Sequence, residues 1–211
     1  MSERDDISLL NKYFILSEKQ QQQFTELGVL YHDWNQKINL ISRKDMEHLY
    51  LHHILHCMSI AKLITFKKDT DIIDVGTGGG LPGIPLAILF PKCNFLLIDS
   101  TGKKIMVVKD IIEKLGLKNA HAEQVRAEEL KEQVDFVTGR AVTNLSEFYT
   151  NVKHLIHKDN RNDLRNGIIY LKGGDMKEEL GTLAHKAKIH PINKWYSEDY
   201  FATKSIIHLL V

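Results

Sequence analysis

Residues 72–85 constrain this chain more than any other stretch. Ile72-Ile73-Asp74-Val75 is a short apolar run rich in β-branched residues that stops abruptly in Gly76-Thr77-Gly78-Gly79-Gly80. Leu81-Pro82-Gly83-Ile84-Pro85 and the apolar Leu86-Ala87-Ile88-Leu89-Phe90 follow. The pattern predicts a buried strand, a tight turn and a helix start, the first βα unit of a nucleotide-binding sheet. Glycine permits positive φ and a close approach of backbone to ligand. The helix that follows is expected to aim its free N–H groups at that ligand. A phosphate-gripping loop would need Gly-Lys-Ser/Thr, which is absent. A dinucleotide fingerprint counted from the strand end needs a third glycine at position 81, which is leucine. The later match, Gly78, Gly80 and Gly83, begins too far from the strand and encloses Pro82.

The remaining spacing, Asp74-x-Gly76-x-Gly78-x-Gly80, resembles motif I of the class I S-adenosylmethionine-dependent methyltransferases. Their ligand carries no pyrophosphate, so the third glycine of the dinucleotide pattern is not required. The rest of the chain bears on the choice. From Asp71 onward strand and helix patterns alternate. Strands are expected at Asp71 to Val75, Asn94 to Asp99, Ala120 to Val125, Phe136 to Gly139 and Gly167 to Lys172. Helices are expected at Pro82 to Phe90, Gly102 to Leu115 (stopped by Gly116), Leu145 to His157 and Met176 to Lys186. Two β-rich segments, Ile189 to Trp195 and Ser205 to Val211, close the chain, and the polar run Lys158 to Asn166 reads as a mobile loop. Alternating βα units predict a parallel sheet covered on both faces, with the ligand beyond the C-terminal strand ends.

Residues 1–66 read as helical. Ser17 and Gln20 have capping-box spacing, and Phe24, Leu27, Leu30, Tyr31 and Trp34 share one helical face. A second helix is expected over Asp45 to Ile64. It holds His52, His53, His56 and Cys57, with His52/His56 and His53/Cys57 at the i,i+4 spacing of metal ligands. No other Cys or His pair completes a zinc set, so no metal is expected. The division is an N-terminal helical extension, residues 1–66, and one compact α/β unit, residues 67–211. Net charge is +1, so a polyanion would need a local patch. Cys57 and Cys93 form no disulfide framework and suit a reducing compartment; no stretch is long and apolar enough for a membrane. A cytoplasmic monomer is expected.

Asp99 ends the second strand, where an acid accepts hydrogen bonds from ribose hydroxyls; the alternative is a cap on the next helix. In a methyltransferase sheet the backbone of Ala127 and Glu128, after the third strand, lies beside the adenine. At the end of the fourth strand, Thr138-Gly139-Arg140-Ala141-Val142 lacks the Asn/Asp-Pro-Pro-aromatic signature of amine methylation. Neither cysteine stands where a cytosine-C5 nucleophile belongs. An acceptor that needs no base remains, and guanine N7, with its exposed lone pair, qualifies. Arg140 is the strongest polar candidate at this mouth, as a positioning residue or a phosphate contact. Lys172, Arg43 and Lys44 are candidate RNA contacts.

Trp34-Asn35-Gln36-Lys37-Ile38-Asn39-Leu40-Ile41-Ser42, His53-Ile54-Leu55, the glycine loop with Leu81-Pro82-Gly83-Ile84-Pro85, Leu97-Ile98-Asp99-Ser100, Arg126-Ala127-Glu128 and Gly139-Arg140-Ala141 occur in order. Together they resemble the RsmG (GidB) family of bacterial 16S rRNA guanine-N7 methyltransferases. The resemblance covers about residues 24–175 and implies a class I methyltransferase (Rossmann-like) sheet, S-adenosyl-L-methionine as cofactor and 16S rRNA as partner, naked or in the small subunit. It further implies that Gly76 and Leu81 line the cofactor, Ala127 and Glu128 meet the adenosine, and Arg140 borders the site; Gly78 and Gly80 complete the loop. The family usually reads His-Ile-Leu-Asp-Ser where this chain has His56 and Cys57, and often Gly-Pro-Gly in place of Gly78-Gly79-Gly80. Two alternatives stay open: a nicotinamide-dependent oxidoreductase, for which no catalytic set can be assembled, and a non-catalytic RNA-binding module on the same fold.

Overall fold

The structure is a computed structural model that describes residues 6–142, 144–174 and 177–211. The apolar runs pair into one seven-stranded sheet of order β3-β2-β1-β4-β5-β7-β6. Its strands are β1 (Asp71–Val75), β2 (Asn94–Asp99), β3 (Ala120–Gln124), β4 (Phe136–Arg140), β5 (Gly167–Gly173), β6 (Ala187–Pro191) and β7 (Lys204–Leu210). The first five are parallel, as βα alternation requires, and β7 runs antiparallel to both β5 and β6. The chain leaves β1 for β2 on one side and reaches β4 on the other. The switch point therefore lies at the C-terminal ends of β1 and β4.

The helices α1 (Ile7–Asn11), α2 (Glu18–Asn35), α3 (His56–Met58), α4 (Ile60–Leu63), α5 (Gly83–Leu89), α6 (Gly102–Lys114), α7 (Leu145–Val152) and α8 (Lys177–Leu180) surround it, α5 and α6 directly against its strands and α1 against α2. Ser17 and Gln20 form the capping box that starts α2. Phe24, Leu27 and Tyr31 on α2 are fully buried in a cluster shared with Ile84, Leu97 and Ile206, so the N-terminal helices and one sheet face have a common core. Each such side chain contributes roughly 1.5–3 kcal/mol of transfer free energy. No helix among the described residues is long and apolar enough to cross a membrane.

Four local expectations are corrected. The single helix over Asp45 to Ile64 is instead a 3-10 turn (Asp45–His48), wide π turns (Leu49–Leu55) and the short α3 and α4. The wider turn changes which histidines share a face. The helix after the glycine loop has no free N–H groups to offer: Gly83 N–H donates to Asp74 Oδ2 (2.9 Å), Ile84 N–H to Gly80 O (2.7 Å), and Pro85 has none. The Lys158 to Asn166 segment is pinned rather than mobile. Asn162 is buried and its Oδ1 accepts from Lys67 N–H (2.9 Å) and Thr70 Oγ1 (3.1 Å), while Asn166 Nδ2 donates to Asp159 O (2.7 Å). The later helices are shorter than expected. After α7 the chain tightens into a 3-10 turn at Lys153–Leu155, and α8 yields to another at Gly181–Lys186, where Gly181 has φ +44°. Met176, the expected start of α8, lies outside the described residues.

Candidate functional site

Asp74 organises the loop between β1 and α5. It is fully buried, and its carboxylate accepts from Thr77 Oγ1 (2.5 Å), Gly83 N–H (2.9 Å) and, across to β4, Thr138 Oγ1 (2.9 Å). Burial pushes its pKa up to about 6 against the pull of those donors. Gly76 (φ +66°) and Gly78 (φ +59°) take the left-handed conformation that the turn needs. Asp99 closes the loop from β2: Oδ2 accepts from Gly78 N–H (3.1 Å) and Oδ1 from Thr101 N–H (2.8 Å). Asp99 thus holds the glycine turn and the bend that leads into α6, and its Oδ2 lies 3.6 Å from Lys104 Nζ.

Two cavities open at the C-terminal strand ends and share Gly76, Lys104 and Ala141. The smaller, about 370 Å³, lies between β2, β3 and α7, with apolar walls from Ile98, Val125, Phe148 and Val152 and polar groups from Asp99, Ala127 and Glu128. The larger, about 470 Å³, lies under the glycine loop and is lined by Gly78, Leu81, Arg140, Lys172, His56 and Tyr200 among others. Ala141, between the two, has φ +52°, a conformation that costs a residue with a Cβ roughly 1–2 kcal/mol. Val142 N–H, donated to Tyr170 Oη at 3.0 Å, helps hold that bend.

Arg140 is fixed by a polar relay. Its Nη2 donates to His53 Nδ1 (3.1 Å); His53 Nε2–H donates to Asp45 Oδ2 (2.5 Å); and Asp45 Oδ1 takes His52 Nδ1–H (2.6 Å). Burial, and then the Arg140 charge, push the His53 pKa down to about 4, so its imidazole is neutral and presents a lone pair to the guanidinium. Burial works against the Asp45 carboxylate, but the two histidine hydrogen bonds hold its pKa below the ordinary value. The π turns make this possible by letting His52 and His53 both reach one carboxylate. Among the described residues no three His, Cys, Asp or Glu side chains converge as metal ligands. Burial pushes the Cys57 thiol up to about 12, which removes it as a nucleophile.

Of the residues singled out from sequence, Gly76, Gly78, Leu81, Arg140 and Lys172 meet at the larger cavity, and Gly76, Asp99, Ala127 and Glu128 at the smaller. Gly80 lines neither; with φ +101° it sits against Ile84 behind the loop. Lys172 is paired with Glu179 (2.7 Å). Arg43 and Lys44 are exposed just past Leu40 and Ile41, which reach the larger cavity. The Trp34–Ser42 stretch closes on itself: Asn35 Oδ1 accepts from Leu40 and Ile41 N–H (2.8 and 2.9 Å). Sequence reasoning gave no role to Tyr31, whose Oη donates to Gly79 O (2.9 Å), nor to Tyr200 and Lys204, which arrive at the cavity from the far end of the chain. The sequence pattern of α2 marked Tyr31 only as core; nothing local marked the other two.

Comparison with known proteins bears on the same geometry. A family model described as GidB, rRNA small subunit methyltransferase G, matches residues 20–200. The chain is 50% identical over 201 residues to the ribosomal RNA small subunit methyltransferase G of Flavobacterium psychrophilum, covering 95% of this chain and 96% of that one. It is 47% identical over 206 residues to the protein of that name from Phocaeicola vulgatus, covering 97% and 99%. Among solved structures, a SAM dependent methyltransferase from Aquifex aeolicus superposes with a TM-score of 0.54 at 16% identity, covering 74% of this chain and 89% of that one. That likeness is one of fold.

Proposed function

The chain belongs to the GidB family of ribosomal RNA small subunit methyltransferases, and we propose that it transfers a methyl group from S-adenosyl-L-methionine to N7 of a guanosine in 16S rRNA. The observation that carries this reading is the pair of adjoining cavities at the switch point, an apolar slot edged by a carboxylate beside a second, cation-lined space. The residues present fit the cofactor. The slot between Val125, Ile98 and Phe148 suits a flat base; we assign its edge to Ala127 and Glu128 and the ribose hydroxyls to Asp99, which lines the same cavity. Gly76 borders both cavities, together with Lys104 and Ala141, and Arg140 lines the larger one.

When bound, the cofactor supplies an electrophilic methyl group on its sulfonium. The protein's task is alignment, and orientation of two reactants contributes roughly 7–11 kcal/mol. Guanine N7 has no proton to lose, and the site is built accordingly. His53 is engaged at both ring nitrogens, and Asp74 is sealed behind the loop by three donors. Arg140, held by His53, keeps a fixed charge at the mouth. Arg43 and Lys44, exposed on the approach, offer phosphate contacts, and Lys172 adds one on exchanging Glu179 for phosphate. The substrate is 16S rRNA, free or in the small subunit. Labelled methyl transfer from S-adenosylmethionine to small-subunit rRNA from a strain without this enzyme tests the reading. Incorporation by the wild-type chain, lost in Arg140→Ala, is the expected result; no incorporation into free 16S rRNA or isolated subunits would overturn it.

A further inference from the structure

One polar side chain in the larger cavity is left short of hydrogen-bond partners. His56, at the start of α3, is 5% exposed and lines the cavity, yet neither ring nitrogen has a partner in good hydrogen-bond geometry. A buried imbalance of donors and acceptors is costly, so an unsatisfied imidazole at a cavity wall calls for a ligand. The ring packs edge-on against Tyr200 (centroids 5.9 Å apart) and Phe201 (6.1 Å), which fixes its plane. Within the protein it has a weak attraction to the His52 carbonyl, which Tyr200 Oη already occupies at 3.1 Å. A neutral imidazole that leans one N–H on that carbonyl leaves its other nitrogen as a lone pair. Burial first, then the Arg140, Lys204 and His53 groups facing it, hold its pKa well below the ordinary value. The ring therefore carries no charge to oppose the cation that forms on a methylated purine.

The cavity's other polar side chains are mostly donors. Arg140, Lys104, Lys172 and Lys204 have no acceptor to offer. His53, whose lone pair is spent on Arg140, adds none. An accepting nitrogen among donors reads a base that presents donors of its own. Guanine does so side by side at N1–H and its 2-amino group, whereas at those two positions adenine presents a bare N1 and a C2–H, its amine standing at C6. Resting on the proposed reaction, we propose that His56 accepts a hydrogen bond from the N1–H or the exocyclic amine of the target guanine and so selects guanine as methyl acceptor. N7 and this edge lie on opposite sides of the purine, so the contact holds the base across its width while N7 faces the methyl group.

The test compares His56→Phe, which keeps a ring without an acceptor, with His56→Asn and His56→Asp, which keep an acceptor. Kinetics are run on unmethylated small-subunit rRNA, and calorimetric titration with S-adenosylmethionine checks folding and cofactor binding. We expect kcat/KM for RNA to fall at least tenfold in His56→Phe at unchanged cofactor affinity, with most of the loss recovered in Asn or Asp. His56→Ala, restored by added free imidazole, covers the case in which the phenylalanine ring fails to pack. Full activity in His56→Phe overturns the proposal, as does equal damage in all the variants or a parallel loss of cofactor binding. A wild-type enzyme that yields no methylated guanine removes the reaction and this role together, which separates the two failures.

Discussion

Gly76 is the residue whose replacement the structure prices most directly. Its φ of +66° lies in the left-handed region, and a Cβ built there would stand 2.8 Å from Val142 Cγ2 and 2.9 Å from Cγ1. Gly78 has nearly the same φ, +59°, but a Cβ there meets nothing within 4 Å. Left-handed backbone costs an alanine roughly 1–2 kcal/mol at either position. The clash adds overpacking of about 1–3 kcal/mol at Gly76 only, toward the low end because Val142 is 40% exposed and can turn aside. Gly78→Ala should therefore lose about 1–2 kcal/mol, and Gly76→Ala about 2–4. For a chain of this size each kcal/mol shifts Tm by about 2–4 °C. Urea unfolding followed by circular dichroism resolves the two variants. Adding Val142→Ala to Gly76→Ala should return the overpacking part alone, leaving the pair close to Gly78→Ala. If Gly76→Ala matched Gly78→Ala, or if Val142→Ala failed to rescue it, the steric account of this turn would be wrong.

The other expectations concern charge and contacts. Asp74, with its folded pKa raised to about 6, binds its proton more tightly folded than unfolded, so its contribution to stability falls as pH rises from about 4 to 6. At about 1.4 kcal/mol per unit, the stability difference between Asp74→Asn and wild type should shift by about 2 kcal/mol in favour of Asn between pH 4 and 7; a difference constant with pH contradicts this. His53→Ala removes the acceptor that holds Arg140 Nη2 and should lower kcat by about tenfold through misplacement of Arg140, less than Arg140→Ala does; an unchanged kcat denies the relay. Charge reversal at Arg43 and Lys44 should raise the KM for RNA and flatten its salt dependence while cofactor affinity holds, and unchanged RNA kinetics would take both off the RNA path.

The strands were legible because each is a short apolar run bounded by turn residues, and β1 and β2 match their expected limits. Asp99 and Arg140, which end β2 and β4, and Ala127 and Glu128, in the turn after β3, were legible for a related reason: in a parallel sheet the C-terminal strand ends and the loops that follow them make the ligand face. What lay hidden depends on partners remote in sequence. Asp74's capture of Gly83 N–H, which silences the helix terminus, needs the loop folded. The joint hold of Asp45 on His52 and His53 needs π turns, which a 3.6-residue period cannot foresee. Asn162 reads as loop polarity until Lys67 N–H and Thr70 are seen to bind it. Tyr200 and Lys204 reach the cavity because β7 doubles back antiparallel beside β5.

The central claim is that the methyl group goes to guanine N7 in 16S rRNA. Purified enzyme, labelled S-adenosylmethionine and small-subunit rRNA from a strain lacking the gene, followed by digestion and mass spectrometry of the nucleosides, test it most directly. Label confined to 7-methylguanosine, absent from the untreated RNA, is the predicted result. Label in any other nucleoside would contradict the assignment, even with fold and cofactor intact.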